Sequence, residues 1–519
     1  MTAPTSLPSV QNEPPKDAKP IGTRLGFSNY IGLLGALLGM IILFSLLSSH
    51  FLSYDTFSTI ANQIPDLVVM SVGMTFVLII AGIDLSVGSV LALGAALTSV
   101  AALQWHWPAL PAALLGMAGA ALTGCVTGAI TVAWRIPSFI VSLGVLEAAR
   151  GLAYQMTNSR TAYIGDAFDF LSNPIAFGIS PAFLIAIVVM VVAQLVLTRT
   201  VFGRYLVGIG TNEEAVRLAG VNPRPYKIAV FAMMGLLAGL ASLFQISRLE
   251  AADPNAGAGI ELQVIAAVVI GGTSLMGGRG SVISTFFGVL IISVLAAGLA
   301  QIGANEPTKR MITGAVTVAW RIPSFIVSLG VLEAARGLAY QMTNSRTAYI
   351  GDAFDFLSNP IAFGISPAFL IAIVVMVAAQ FVLTRTVFGR YLVGIGTNEE
   401  AVRLAGVNPR PYKIAVFAMM GLLSGLASLF QISRLEAADP NAGSGIELQV
   451  IAAVVIGGTS LMGGRGSVTS TFFGVLIISV LAAGLAQIGA TEPTKRIITG
   501  AVIVVAVVLD TYRSRRRAA

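Results

Sequence analysis

Ionisable side chains are scarce in this sequence, so the places where they gather carry most of its chemistry. The sharpest is Asp84, inside GIDLSVGS (Gly82–Ser89) between two apolar runs. A carboxylate flanked by apolar spans is costly unless it is paired or faces water, so it counts as functional by default. Three roles fit it: a hydroxyl-binding group for a polar solute, a cap on a helix that begins at Leu85, or a buried ion pair. Ser86 and Gly88 in the same motif, and Asp66 upstream, are the other candidates for a translocation path or its support. Asn62 and Gln63 beside Asp66 fit either a polar path or a wet span end. Gly277, Gly278, Arg279 and Gly280, within GGTSLMGGRG, read as a tight turn. No strand precedes them, which argues against a phosphate-binding loop. Cys125 lies in an apolar run as a packing residue, and His50 and His106 assemble no metal site and no nucleophilic triad.

The largest polar island is TRTVFGRYLVGIGTNEEAVRLAGVNPRPYK (Thr198–Lys227), which returns unchanged at Thr384–Lys413. It holds Arg199, Arg204, Arg217, Arg224 and Lys227 against Glu213 and Glu214. A basic loop between apolar spans is expected on the cytoplasmic side. Its centre, NEEAVRLAG, reads as a short amphipathic helix stopped by Gly220, Pro223 and Pro225. Such a helix suits docking on a soluble partner, and the loop equally fits a solvated connection that only fixes topology.

The elements that position these residues are membrane helices. Of the 519 residues, 56% are hydrophobic and 11% charged, against about 25% charged in a soluble domain. The apolar runs are continuous rather than alternating, which excludes a barrel, and the 55 glycines allow close helix approach. The expected fold is an all-α, polytopic transmembrane helix bundle. The net charge of +7 sits in loops and tails, so it reports orientation and not nucleic-acid binding. Residues 1–25 read as a disordered cytoplasmic tail without a signal peptide. Spans follow at about Tyr30–Phe51 (with a GxxxG at Gly35–Gly39), Ile60–Ala81, Leu85–Leu103, Pro108–Trp134, Pro137–Tyr154, Pro181–Leu197 and Ile228–Ile246. Ile260–Ile270 is short for about 30 Å of hydrocarbon and reads as a broken or re-entrant helix. Val282–Ile302 and a last span at Ile497–Leu509 complete the set, and the final arginines place the C-terminus in the cytoplasm with the N-terminus.

Residues 128–313 recur as 314–499 at an offset of 186 with eight differences. TGAI at Thr127–Ile130, TGAV at Thr313–Val316 and TGAV at Thr499–Val502 mark the recombination points. Removing one 186-residue copy from 519 leaves 333 residues with one continuous set of spans. The chain thus divides into the tail 1–25, a transmembrane domain 26–313, the second copy 314–499, and the last span's end with a basic tail, 500–519. About ten spans are expected in the basic unit and up to sixteen with the second copy. Between Arg310 and Arg321 lie only MITGAVTVAW, about 15 Å of helix. Were this junction (311–320) not to cross, the loop at 384–413 would face outside, against the positive-inside rule, so a crossing is expected.

GMTFVLIIAGIDLSVGSVLALGAAL (Gly73–Leu97), RIPSFIVSLGVLEAARGLA (Arg135–Ala153), FGRYLVGIGTNEEAVRLAG (Phe202–Gly220) and ELQVIAAVVIGGTSLMGGRGS (Glu261–Ser281) resemble the permease subunits of bacterial monosaccharide ABC importers, the ribose, xylose, arabinose and galactose type. The resemblance covers nearly all of 25–313 plus 500–515, and it departs in the second copy, which lacks the first three spans and has no second GIDLSVGS. It implies a multi-pass protein of the bacterial inner membrane that is not itself an enzyme and imports a monosaccharide, a ribose-like pentose being favoured. It implies a cytoplasmic ATP-binding subunit that holds ATP and Mg, a periplasmic sugar-binding protein and a second permease copy as partners, with no cofactor or metal bound directly. Asn212, Glu213, Glu214, Arg217 and Gly220, and their repeats Asn398, Glu399, Glu400, Arg403 and Gly406, would form coupling segments that dock on the ATPase. No GxxxxGK[ST] loop is present, so ATP chemistry would belong to that partner. Two other readings stand beside this one: a secondary transporter or channel for a small polar solute, and a non-functional recombinant of two permease genes.

Overall fold

A computed structural model describes residues 27–175, 177–319, 324–361, 364–460 and 463–518, so the tail read at 1–25 lies outside the described residues. The chain is almost entirely helical. The first body comprises α1 (Phe27–Leu47), α2 (Tyr54–Gln63), α3 (Pro65–Ile79), α4 (Val87–Leu103), α5 (Ala109–Trp134), α6 (Ser138–Met156), α7 (Pro181–Arg199), α8 (Val201–Leu218), α9 (Pro223–Leu249), α10 (Ile260–Ile270) and α11 (Val282–Gln301). Proline at the first helical turn and a side-chain oxygen on the free N–H groups start several of them: Ser180 Oγ accepts from Phe183 N at α7, and Asn222 Oδ1 from Arg224 N at α9. The only sheet of this body pairs Ala162–Tyr163 with Ala251–Ala252.

Small residues set the core. A methyl group on Gly124 would overlap the Phe231 carbonyl, one on Gly235 the Ala120 carbonyl, and one on Gly239 would lie 2.8 Å from Met117 Cα. These contacts hold α5 antiparallel against α9 at backbone distance, the packing that drives helix association in lipid. By contrast, nothing lies within 4 Å of a methyl group on Gly35 or Gly39, so the GxxxG of α1 makes no close helix contact here. Such a motif needs a facing helix, and α1 instead meets α11 through Phe44 against Gly298.

Two breaks organise the body. Residues 80–86 connect α3 to α4 without helix, and residues 250–259 connect α9 to α10. The sequence helix–break–half-helix–helix–helix therefore occurs twice, as α3, α4, α5, α6 and as α9, α10, α11 plus a closing helix. The two runs point in opposite directions: α3 and α9 are antiparallel, with Gly73 against Met234 and Asp66 against Arg248. Inverted runs of this kind with broken helices are a transporter architecture. At 17 and 11 residues, α4 and α10 reach about 25 and 16 Å, short of a bilayer core. The break at Ile260–Ile270 expected from sequence is present with those bounds. Among the described helices eight are long and apolar enough to cross a membrane, or nine with α2 and α3, which bend by 48° at their junction. That is below the ten and sixteen expected, because half-helices and the junction helix fall short of a full span.

The closing helix is not the next one in the chain. After α11 comes α12 (Glu306–Ala319), then α13 (Ser324–Met342), α14 (Pro367–Arg385), α15 (Val387–Thr397), α16 (Glu399–Leu404), α17 (Arg410–Leu435), α18 (Ile446–Ile456), α19 (Val468–Gln487) and α20 (Glu492–Ala518). It is α20, at the end of the chain, that lies antiparallel on α6. A methyl group on Gly151 would lie 2.7 Å from the Pro493 carbonyl, and one on Gly144 2.8 Å from the Gly500 carbonyl. Arg496 pairs with Glu147 at 3.5 Å and stacks over Tyr154. The near-identical α12 makes the same pairing with α13: Gly337 against the Pro307 carbonyl at 2.5 Å, Arg310 to Glu333 at 3.8 Å, Arg310 over Tyr340. Each copy's last helix thus serves the other copy. The junction is helical to Ala319, about 21 Å, and antiparallel to α13, which turns the second copy in the same direction as the first. Trp320 and 321–323 at its end lie outside the described residues. The last span is also longer than read from sequence, 27 residues from Glu492.

The second copy repeats the first without α3, α4 and α5. Nothing lies within 4 Å of a methyl group on Gly421 or Gly425 of α17, the counterparts of the tightly packed Gly235 and Gly239. A cavity of about 590 Å³ is lined by Ala335, Arg336, Ala339, Ser424, Ser428 and Gln431. In the first copy the counterparts Ala149, Ala153 and Ala238 are packed by Val90, Leu93, Ala92 and Ala96 of α4. The cavity is the vacant seat of an α4.

Candidate functional site

The site grows from the break between α3 and α4. Backbone released from a helix inside a membrane needs other partners. Ala81 has φ +57°, and Gly82 N donates back to the Val77 carbonyl at 2.9 Å. Ile83 N donates to Ser138 Oγ at 2.9 Å, and the same hydroxyl donates to the Ile83 carbonyl at 2.9 Å. Leu85 N donates to Ser142 Oγ at 3.0 Å. Asp84, 2% exposed, accepts from Ser86 N at 2.9 Å and Ser86 Oγ at 2.6 Å. The helix begins at Val87 with Ser86 as its first flanking residue, two residues later than expected. Asp84 therefore closes an Asx-type turn ahead of the helix rather than capping it directly. No salt bridge to Asp84 is found among the described residues.

The two half-helices meet by their N-termini. A methyl group on Gly88 would overlap the Gly257 carbonyl and lie 2.7 Å from Glu261 Oε2. Arg150 fixes the second break by donating to the carbonyls of Pro254 at 2.6 Å and Ala256 at 2.8 Å, and Tyr154 donates to Asn255 Oδ1. Ser89 Oγ, next to Gly88, and Gln245 Oε1 are buried without a hydrogen-bond partner in the described structure. Asp66 is not part of this cluster. It sits at the other end of α3, 5% exposed, paired with Arg248 Nη2 at 3.0 Å. Arg248 also donates to the Gln63 carbonyl, and Asn62 bonds the Gly178 carbonyl and Ser180 N, so these polar residues are occupied structurally.

The polar island lies at the end of α8. The helix kinks at Asn212 (φ −161°, ψ 97°), whose Oδ1 accepts from Ala215 N at 2.9 Å. A short helical turn follows and stops at Gly220 (φ +84°). Asn212, Glu213, Glu214 and Arg217 are exposed; Glu214 pairs with Arg217 and Glu213 with Lys227. The second island is built alike, with Asn398 capping α16, Glu400 to Arg403 and Glu399 to Lys413 both at 2.6 Å, and Gly406 at φ +85°. The turn Gly271–Ser281 reaches both features. Ser274 N donates to the Arg279 carbonyl, Gly277 and Gly278 take positive φ, and Gly278 N donates to the Ile79 carbonyl at 2.8 Å. Gly280 packs on Ile79 and Thr273. The structure thus joins Asp84, Ser86, Gly88 and the glycine turn around the end of α3, and leaves Asp66 apart.

Ser138, Ser142, Arg150 and Arg248 hold this arrangement and were not singled out by sequence. Signals for them were present: two serines four apart on one helix face, and arginines within otherwise apolar spans.

A family model described as the permease component of branched-chain amino acid transport systems matches residues 56–320 and again 311–507. The "Ribose import permease protein RbsC" of Escherichia coli K12 is 38% identical over 289 residues, 54% of this chain and 89% of the relative. That of Haemophilus influenzae is 40% identical over 267 residues, 50% of this chain and 82% of the relative. The "Fructose import permease protein FrcC" of Rhizobium meliloti is 30% identical over 298 residues, 56% of this chain and 82% of the relative. No solved structure matches the chain significantly. Matched by the family model along both copies, this multi-pass membrane chain belongs to the family of branched-chain amino acid transport permease components.

Proposed function

We propose that the chain is the membrane permease of an ATP-driven, binding-protein-dependent importer of a monosaccharide, a ribose-like pentose first among them. The observation that carries this is the exposed, kinked helix at Asn212–Gly220 seated over the end of a broken membrane helix, in a chain whose relatives are named for ribose and fructose import. A cytoplasmic ATP-binding subunit, holding ATP and Mg, docks on this segment. A periplasmic sugar-binding protein delivers solute to the opposite face, and a second permease completes the path. The chain lies in the bacterial inner membrane with both termini in the cytoplasm. Asp84, Ser86 and Gly88 shape the break that the solute passes, and Glu213, Glu214 and Arg217 exchange their internal partners for charge-assisted contacts to the ATPase. The antiparallel α12–α13 hairpin supports both islands facing the cytoplasm, in line with the positive-inside rule.

The test is reconstitution of the chain with its ATPase and binding protein in proteoliposomes. Uptake of radiolabelled ribose is expected to require ATP and to stop with vanadate. Charge reversal of Glu213 and Glu214 to lysine is expected to abolish stimulation of the ATPase at unchanged expression. Uptake that ignores vanadate and collapses with an ionophore would establish a secondary carrier instead.

A further inference from the structure

The end of the coupling segment touches the membrane break through backbone alone. A methyl group on Gly210 would overlap the Ile79 carbonyl and lie 2.5 Å from Gly278 N. One on Gly277 would lie 2.7 Å from the Gly210 carbonyl and 2.9 Å from Ala81 Cβ, and one on Gly278 3.1 Å from Thr211 Cα. Three elements therefore meet at one point. They are the residues just before the kink at Asn212, the turn between α10 and α11, and the end of α3 where residues 80–86 leave the helix. No flexible side chain lies between them, so displacement of one backbone displaces the others. Packed backbone of this kind carries motion without loss.

The second copy offers an internal comparison. Gly396 keeps the contact with the turn, 2.5 Å from Gly464 N, and a methyl group on Gly464 would lie 3.1 Å from Thr397 Cα. The copy has no α3, and the contact ends there: no residue stands in for Ile79 or Ala81. We infer that Gly210 is the positioning residue through which the ATPase moves the α3–α4 break, and that the segment at Asn398–Gly406 docks an ATPase without reaching any such break. This rests on the importer reading for the role of the ATPase.

The experiment uses the full chain with Cys125→Ser and Ile83→Cys, a partly exposed position in the break. Its labelling by a water-soluble maleimide in membrane vesicles reads the break directly. Gly210→Ala is expected to change the labelling rate severalfold, and Gly396→Ala to leave it unaltered. In proteoliposomes Gly210→Ala is expected to lower solute moved per ATP by about tenfold or more, with the ATPase still copurifying. Thr211→Ala, which removes the hydroxyl beside Gly278 and introduces no clash, serves as the variant that folds; it should shift labelling in the same direction, and Thr397→Ala should not. Equal effects at Gly210 and Gly396, or none at either, would overturn the inference. A labelling shift confined to Gly210 and Thr211 in a chain that moves no solute would uphold the mechanical link and remove the importer reading.

Discussion

Asp84 is an anion in the membrane whose two hydrogen bonds both come from Ser86, two residues along. Its geometry is that of a turn-closing group, and Asn can accept the same two bonds without charge. Replacing a charge-assisted bond by a neutral one costs about 1 kcal/mol. Asp84→Asn is therefore expected to fold, to lose about that much stability in thermal unfolding, and to keep uptake, whereas Asp84→Ala leaves Ser86 N–H buried and unpaired and is expected to lose about twice as much. Loss of uptake in a folded Asp84→Asn protein would instead place the negative charge in the solute path. Legibility at this scale was partial. Asp84 stood out because carboxylates are rare in apolar sequence. Its partner could not be read, since a cap at Leu85 and a turn closed two residues later look alike until the backbone is known.

At the scale of the element, the break between α3 and α4 survives because α6 feeds it hydrogen bonds. Ser138 serves both polar groups of Ile83, and Ser142 serves Leu85 N–H. Removing both hydroxyls orphans three buried backbone groups, each worth about 1 kcal/mol. Ser138→Ala with Ser142→Ala is expected to destabilise the chain by about 3 kcal/mol, read as a lower melting temperature in detergent. The matching pair Ser324→Ala with Ser328→Ala faces no α3–α4 break and is expected to cost far less. Equal losses would show that the serines matter within their own helix and not to the break. The sequence announced the short α10 through its eleven-residue apolar run, but not the long-range pairing of α6 with residues 83–85. Two serines in an apolar helix fit any neighbour, and only the tertiary arrangement selects one.

At the scale of the whole chain, the repeat makes two near-identical closing helices compete for two near-identical seats. The arrangement found puts α20 on α6 and α12 on α13, so the first body comprises residues 27–305 and 492–518. Residues 306–491 are then an insertion of 186 residues between α11 and its proper partner. Periodicity could not foresee this exchange, because Gly314 and Gly500 carry the same local sequence and only the fold decides which meets Gly144. Excision of 306–491 joins Asn305 to Glu492 and restores a direct passage from α11 to α20. The excised chain of 333 residues is expected to express, to melt at the temperature of the full chain, and to transport at least as well, since every contact around Asp84, Gly210 and Gly278 lies within what remains. The one bond lost to the first body is the apolar contact of Val455 on α18 with Ile140, Val141 and Val507. Should excision unfold the protein, that contact would be what holds the two copies as one structure, and the second copy would be a brace for the first rather than an appendage to it.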